Sequence, residues 1–590
     1  MIPPFFQTPE GITTPSTVEF RSMIRSSGVL LVSCSGLLGC LSNVVTAQQF
    51  LEETSRLPSQ SFYSNQLSAC DFDMDGDMDF VVADGQGYTS QGSALQVRLY
   101  VNDGTGQFAD ESIARAGGVT GWFRGVEFGD CDGDGDPDMI LAQDYFTAPV
   151  LLINDGNGFF TDESESRLPV QRLSSARAQF ADVDQDGDLD LAFCDSGTSS
   201  RFGSNGRTRL LINDGNGFYQ DETNARMIGG STMSQQMDLL FFDADNDLDL
   251  DMYVGTRSSG STNSSRLWTN DGKGFFTSTL TAGGDFSVYS YDAGDIDGDA
   301  RLDLIGANGA SGNREKLIKN NASGSWTDVT TWISPNPGAD DNDSKFLDFD
   351  NDGDLDLVVA VLYGSRERMY VNDGTGQFTE DTSLITSVSD ATLDIAVADF
   401  TGDGRADIIT VQGEGGNFQN RFYRNTGPSD TRAPVIAVTG LSEADDSGRR
   451  GILARLSDSY TSDRGFDPGF VRAELRGTAD KNETIDMVWV GNSIWRADII
   501  APECSAGFEY RIVCSDRSGN IRTGDWEQAD LGGSALAGDL NSDGCVDGMD
   551  IAVILGFWAD TTQPCFDLNG NGVVGGADLS IVLSNFGGCL

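Results

Sequence analysis

Over most of the chain, acidic and apolar positions follow one another with a period too short for a helix. "DFDNDGDLDLVVA" (348–360) sets aspartates on alternate positions and then turns apolar. "RMYVNDGTGQFTE" (368–380) places an Asp-Gly turn between two short apolar runs, a strong hairpin signal. With "KFL" (345–347) ahead of the acidic stretch, the pattern predicts four strands, the other three being "LVVA" (357–360), "RMYVN" (368–372) and "QFTE" (377–380). Such short runs, each bounded by turn residues, read as strands.

The unit repeats. Acidic loops begin at Asp71, Asp130, Asp182, Asp243, Asp295, Asp348 and Asp399, between 51 and 61 residues apart. An Asn-Asp-Gly motif follows each, as in "VNDGTGQF" from Val101, "INDGNGFF" from Ile153 and "TNDGKGFF" from Thr269, with weaker forms at Asn320 and Asn425. Four-stranded units at this period predict a mainly β fold, a propeller of seven blades.

Two carboxylates about 5 Å apart repel by roughly 1 kcal/mol in water and about 3 kcal/mol at an effective dielectric near 20. A hard cation taking six to eight oxygens reverses that sign, and calcium is the usual one. Positions 1, 3, 5 and 9 of the loops supply the candidate ligands. They are Asp71, Asp73, Asp75 and Asp79 in the first, then Asp130, Asp132, Asp134 and Asp138 in the second. The third has Asp182, Asp184, Asp186 and Asp190, and the fourth Asp243, Asp245, Asp247 and Asp251. The fifth has Asp295, Asp297, Asp299 and Asp303, and the sixth Asp348, Asp350, Asp352 and Asp356. The seventh keeps Asp399, Asp403 and Asp407, with Thr401 at position 3. Position 7 is expected to offer its backbone carbonyl. Leu248 and Ala300 stand where the turn calls for glycine, so loops 4, 5 and 7 are expected to bind less well. An EF-hand needs an acidic twelfth residue and an exiting helix; here position 12 is Val82 or Val359, inside a β-rich run.

These motifs resemble the FG-GAP/VCBS repeats of integrin α-type seven-bladed propellers over residues 48–427. The resemblance implies a calcium ion between the first two strands of each blade, about seven in all. The seventh repeat stops at "YRNTGPSD" (423–430) without the phenylalanine strand that ends the others, and "QQFLEET" (48–54) supplies a matching one. An N-terminal strand is therefore expected to complete the last blade and close the ring.

Beyond the linker "GPSDTRAPV" (427–435), residues 434–522 alternate short strands and turns, as in an immunoglobulin-like or fibronectin-like sandwich acting by default as a spacer. Residues 538–590 return to the calcium pattern with a helical sequel. "DLNSDGCVDGMD" (539–550) offers Asp539, Asn541, Asp543, the Cys545 carbonyl, Asp547 and Asp550, then Ile551, Ile554, Leu555 and Trp558 at helical spacing. "DLNGNGVVGGAD" (567–578) offers Asp567, Asn569, Asn571 and Asp578, then Leu579, Val582, Leu583 and Phe586, but has Gly575 at a ligand position. The pair resembles a type I dockerin, which implies up to two calcium ions and a cohesin-like partner.

The N-terminus reads as an export signal: Arg21 and Arg25 precede "GVLLVSCSGLLGCL" (28–41), and "VTA" (45–47) fits a cleavage site. Met23 as the true start, an uncleaved anchor, and lipid attachment at Cys40 remain open. Export favours disulfides: Cys504 and Cys514 are close enough for a hairpin cross-link, Cys565 and Cys589 bracket the last motif, and Cys70, Cys131 and Cys194 sit beside acidic loops.

A formal charge of −53 argues against nucleic acid as a partner. The chain has no histidine, which removes Ser-His-Asp triads and histidine metal sites while leaving carboxylate pairs open. The expected function is calcium-dependent binding of an extracellular protein or polysaccharide; a secreted polysaccharide-acting enzyme or accessory subunit and a structural surface protein are the alternatives. Contacts are expected on the connections opposite the acidic loops, at Trp122, Arg124, Tyr145, Arg201, Phe202 and Tyr363, because aromatic and arginine residues dominate binding hot spots.

Overall fold

The computed structural model describes residues 48–590, apart from 88–89, 170–171, 198–199, 201–205, 229–231, 258–264, 280–287, 309–313, 363, 414–415, 444–448, 461–467, 479–480, 501–507, 530–537, 539, 541–544, 560–565, 567, 570 and 589–590. The export-signal region (1–47) therefore lies outside the described residues, as do Cys504, Cys565 and Cys589.

The fold is mainly β and propeller-like. Each acidic loop joins a seven-residue inner strand, such as Ser64–Cys70, to a six-residue second strand, such as Asp79–Asp84. In six of the seven repeats every residue of the second strand is buried, and in the sixth only Val361 is partly exposed. A strand buried on both faces has no reason to alternate, so "FVVA" and "LVVA" run apolar without a break. The Asp-Gly hairpin adds the outer strands, giving, among the described residues, seven sheets of four or five strands between Phe50 and Asn425. The inner strands contact one another in chain order, and the last, Thr392–Ala398, returns to the first, Ser64–Cys70. The sheets therefore form a closed ring, with aromatic cores between neighbours. Phe80 stacks on Tyr100 at 4.6 Å and meets Phe108 edge-on at 4.9 Å, beside Phe400 and Phe422 of the last repeat.

The closing strand is where the sequence placed it. Phe50–Glu52 pairs antiparallel with Tyr423–Asn425 and forms the outer strand of the seventh sheet. Phe50 is fully buried and sits edge-on to Phe349 at 5.9 Å.

Residues 435–529 form two further sheets around a shared core that includes Ile452, Leu456, Val471, Trp495, Tyr510 and Ile512. The cross-link expected at Cys514 is absent: it is a free thiol wholly buried in this core, on a strand between two neighbours where its side chain packs rather than bridges. Nor is this region a spacer. Asp348 donates its N–H to the Ser459 carbonyl at 2.6 Å, and Asp182 donates to Val490 at 2.8 Å, so it sits directly on the acidic loops.

At the C-terminus, helices Gly548–Gly556 and Gly576–Asn585 contact each other around Val546, Ile554, Phe566, Val574 and Val582. Leu555, Trp558, Leu583 and Phe586, expected on the apolar faces, are each about half exposed. Cys545, expected only to lend a carbonyl, is disulfide-bonded. Among the described residues no helix is long and apolar enough to cross a membrane.

Candidate metal centres

Each acidic loop is wound around its first aspartate. Asp130 Oδ1 accepts from Gly133 N and Asp134 N at 2.9 and 3.1 Å, and its Oδ2 accepts from Gly135 N at 3.0 Å. Asp348 holds Asp352 N and Gly353 N in the same way. Positions 4 and 6 take left-handed backbone, as at Met74 (φ 59°) and Gly76 (φ 103°). Leu248 (φ 71°) and Ala300 (φ 64°) adopt it too, so loops 4 and 5 keep the turn at some cost in strain.

The ninth residue opens the second strand and is fixed from two sides. Cys131 N donates to Asp138 Oδ2 at 3.0 Å, and Asn154 N donates to its Oδ1 at 2.9 Å. That second donor explains the Asn-Asp-Gly motif. In all seven repeats the motif's asparagine (Asn102, Asn154, Asn213, Asn270, Asn320, Asn372 and Asn425) donates its N–H to the position-9 carboxylate at 2.7–2.9 Å. In the first six its Nδ2 also reaches the position-2 carbonyl of the preceding repeat, at 2.7–2.9 Å. In the seventh, Gln49 of the N-terminal segment takes over that bond, to the Phe349 carbonyl.

The carboxylates converge. Asp71, Asp73 and Asp79 each bring an oxygen within 4.8 Å of the others, as do the 1, 3 and 9 sets of loops 2 and 3 and the 1, 3 and 5 sets of loops 4 and 5. In loop 1, Asp71 Oδ1, Asp73 Oδ1, Asp77 Oδ1 and Asp79 Oδ2 are all buried without a hydrogen-bond partner. The same is true of Asp132, Asp136, Asp184, Asp249, Asp297 and Asp356, through one oxygen each. Burial, and then the neighbouring carboxylates, push Asp79 up to about 8 and Asp77 and Asp136 up to about 6; burial likewise lifts Asp138 to about 7 and Asp249 to about 9. Buried carboxylate oxygens with no donor are costly. An all-oxygen donor set of this kind can hold a hard cation.

Two groups escaped the sequence reading. The first is position 7, from which only a carbonyl was expected. The side chains of Asp77, Asp136 and Asp249 turn inward with an orphaned oxygen; their aspartate identity was the signal. The second is an arginine in the short helix after three of the hairpins. Arg115 bonds Asp73 at 2.8 Å, Glu111 at 2.8 Å and the Asn157 carbonyl at 2.8 Å. Arg167 does the same with Asp132, Glu163 and Asn216, and Arg226 with Asp184, Glu222 and Lys273. Each clamps a position-3 aspartate to the next repeat's hairpin. The recurring "DESIAR", "DESESR" and "DETNAR" carry that signal.

In the tail, Asp550 and Asp578 are wholly buried and reach back across their loops. Asp550 accepts from Leu540 N at 2.6 Å and Asp547 N at 2.7 Å; Asp578 accepts from Asn569 N at 3.1 Å and Gly575 N at 2.7 Å. Asn571 Oδ1 accepts from Val573 N at 3.0 Å. Asp539, Asn541, Asp543 and Asp567 lie outside the described residues.

The expected contact surface is less open than the sequence suggests. Arg124 is buried, donating to Asn65 Oδ1 at 2.5 Å and to the Gly85 carbonyl at 3.0 Å. Tyr145 bonds the Gly87 carbonyl, and Trp122 Nε1 bonds Gly92 O at 2.8 Å. These side chains knit loops together. Arg201, Phe202 and Tyr363 lie outside the described residues.

The FG-GAP-like repeat family matches residues 71–141, 130–193, 295–359 and 348–410, so the chain carries at least four such repeats. No curated protein matches the sequence. Among solved structures, the chain is similar to the Vibrio cholerae biofilm matrix protein Bap1 (13% identity, 83% of this chain and 79% of that one, TM-score 0.30). It is also similar to a Pseudomonas aeruginosa periplasmic gluconolactonase (13%, 55% and 87%, TM-score 0.36) and to a fucoside-bound Aleuria aurantia lectin (11%, 56% and 98%, TM-score 0.32).

Proposed function

We propose that the chain is an exported, calcium-loaded seven-bladed propeller that binds an extracellular protein or polysaccharide. An immunoglobulin-like sandwich is seated on its calcium face, and a dockerin-like tail docks onto another protein, a cohesin-like module being the partner implied by resemblance. Loop 1 carries the calcium reading. Four buried carboxylate oxygens point inward there with no donor among them, and a hard dication supplies the missing charge and contacts. The ions serve to hold each loop closed against its second strand. We assign no catalysis: the chain lacks histidine, and its clustered carboxylates are engaged by loop N–H groups, arginines and the proposed ions.

Equilibrium calcium binding to chelator-stripped secreted protein tests this reading. Saturable uptake of about seven ions by the propeller and up to two by the tail is expected, with calcium preferred over magnesium because calcium tolerates the irregular geometry of flexible carboxylate loops whereas magnesium demands a near-ideal octahedron. Uptake of fewer than one ion per chain would sink it.

A further inference from the structure

The inner strands share an irregularity that the acidic loops do not explain. In all seven sheets the register slips near the start of the inner strand, between Ser64 and Gln66 in the first and at the matching place in the others. A β-bulge leaves a residue out of the ladder and re-aims its side chain. The residues skipped in six sheets are Asn65, Arg124, Met237, Tyr289, Asn342 and Leu393, and in the third Ala176 and Arg177. Every one of them lines a single cavity of about 90 Å³ on the axis of the ring. It lies at the strand ends away from the acidic loops, and none of its lining residues comes from the sandwich or the tail.

The charges in its wall are neutralised internally. Arg177 pairs with Asp238 at 2.9 Å, Arg124 faces Asp144 at 3.7 Å, and Asp394, which accepts from Leu67 N at 2.9 Å, has the positive charges of Arg177 and Lys345 beside it. What remains on offer is uncharged. The Ser290 hydroxyl is buried with no partner. Gln66 uses its oxygen on Val126 N, leaving its NH₂ as a donor, and Asn342 uses its NH₂ on the Thr392 carbonyl, leaving its oxygen as an acceptor. Tyr63 and Tyr289 add two ring faces, the latter with Arg257 stacked at 5.2 Å. Neutral donors and acceptors beside flat rings suit a ligand whose hydroxyls both give and take protons and whose C–H face is apolar. At about 30 Å³ of liquid volume per water, the cavity of about 90 Å³ replaces about three waters, room for the inserted edge of one terminal sugar ring rather than for a chain.

We propose that this axial cavity binds one terminal saccharide unit of an extracellular glycan, held by Ser290, Gln66 and Asn342 against Tyr63 and Tyr289. The proposal rests on the ligand-binding propeller reading and narrows it to one class and one place.

The test uses the secreted protein in calcium, titrated calorimetrically with methyl glycosides of glucose, galactose, mannose, N-acetylglucosamine, fucose, arabinose and rhamnose, and with N-acetyl-lysine amide and N-acetyl-arginine amide as cationic probes. At least one glycoside should bind. Ser290→Phe, which fills the cavity, should abolish that binding, and Ser290→Ala, which removes one hydrogen bond and cannot crowd the fold, should weaken it about tenfold, with calcium uptake unchanged. The proposal is overturned if no glycoside binds, if the cationic probes bind in their place, or if Ser290→Ala and a folded Ser290→Phe bind the glycoside as the parent does. If calcium uptake is normal in those cases, the calcium-loaded propeller stands and only the axial site falls.

Discussion

Removing calcium from the secreted chain with excess chelator should lower its melting temperature by a margin that the loop geometry allows to be worked out. Five of the loops hold carboxylates whose oxygens meet within 4.8 Å, a separation at which each pair repels by about 3 kcal/mol at an effective dielectric near 20. A site kept at 100 times its Kd stabilises the native state by about 2.7 kcal/mol. Residues 48–427, at about 2.1 cal/mol/K each, have an unfolding entropy near 0.8 kcal/mol/K. One saturated loop is then worth about 3 °C, and seven acting together about 20 °C. Calorimetric melts in calcium, in chelator and in magnesium would measure it. A curve that does not move in chelator refutes the reasoning outright. A shift of only about 3 °C would refute the claim that all the loops take part.

Four further outcomes are expected. Phe50→Ala, which empties a fully buried site under the closing strand, should cost about 3–5 kcal/mol and broaden the propeller's denaturant transition. In chelator, Arg455→Ala should cost about 3–5 kcal/mol by removing the guanidinium that neutralises the buried Asp243 carboxylate, and limited proteolysis should then release residues 434–529. Ala300→Gly should gain about 1 kcal/mol by relieving a left-handed alanine (φ 64°), whereas Leu248→Gly should not, because Leu248 is part of the core; chemical denaturation separates the two. In chelator, Asp79 and Asp407 titrate near 8 and Asp138 and Asp303 near 7, all above their unfolded values. The native state therefore binds extra protons between about pH 4 and 8, and stripped protein should gain stability as pH falls through that window. Calcium requires the deprotonated carboxylates, so the gap between the calcium and chelator melts should close on acidification.

The parts of this fold written in short-range pattern were legible in the sequence. Loop, second strand and hairpin recur with fixed spacing, and the four strands expected at 345–380 match Asp341–Leu347, Asp356–Val361, Arg368–Asn372 and Phe378–Glu380. Closure by residues 48–54 was legible for the same reason, because a missing strand at one end had its copy at the other. Contacts between distant segments were not. Arg124 and Tyr145 looked like exposed hot spots, but their partners at Gly85 and Gly87 lie in the preceding repeat, about 40 to 60 residues back. Nothing local marks Cys514 as a core residue rather than half of a bridge. The bulges were invisible because they depend on register, which a single strand does not disclose.

The position of the sandwich decides which face of the ring is left for function. Arg455 pairs with Asp243 at 2.9 Å, Arg496 approaches Asp182 at 3.7 Å, and Arg517 approaches Asp71 at 3.4 Å. Each is the first aspartate of an acidic loop, so three guanidiniums from one module rest on the carboxylates that would also hold the cations. Arg455 and Arg496 are almost wholly buried in doing so. A face spent on its own sandwich cannot present those loops to a partner, and the fourth, fifth and sixth loops are further covered through the Ala300 carbonyl, which takes an Arg455 bond, and through the Ser459 contact to Asp348. The acidic loops are then structural: they hold the strands and seat the sandwich. The proposed recognition site lies at the opposite end of the axis, where seven bulges turn their side chains into one cavity and none of the lining residues comes from the sandwich.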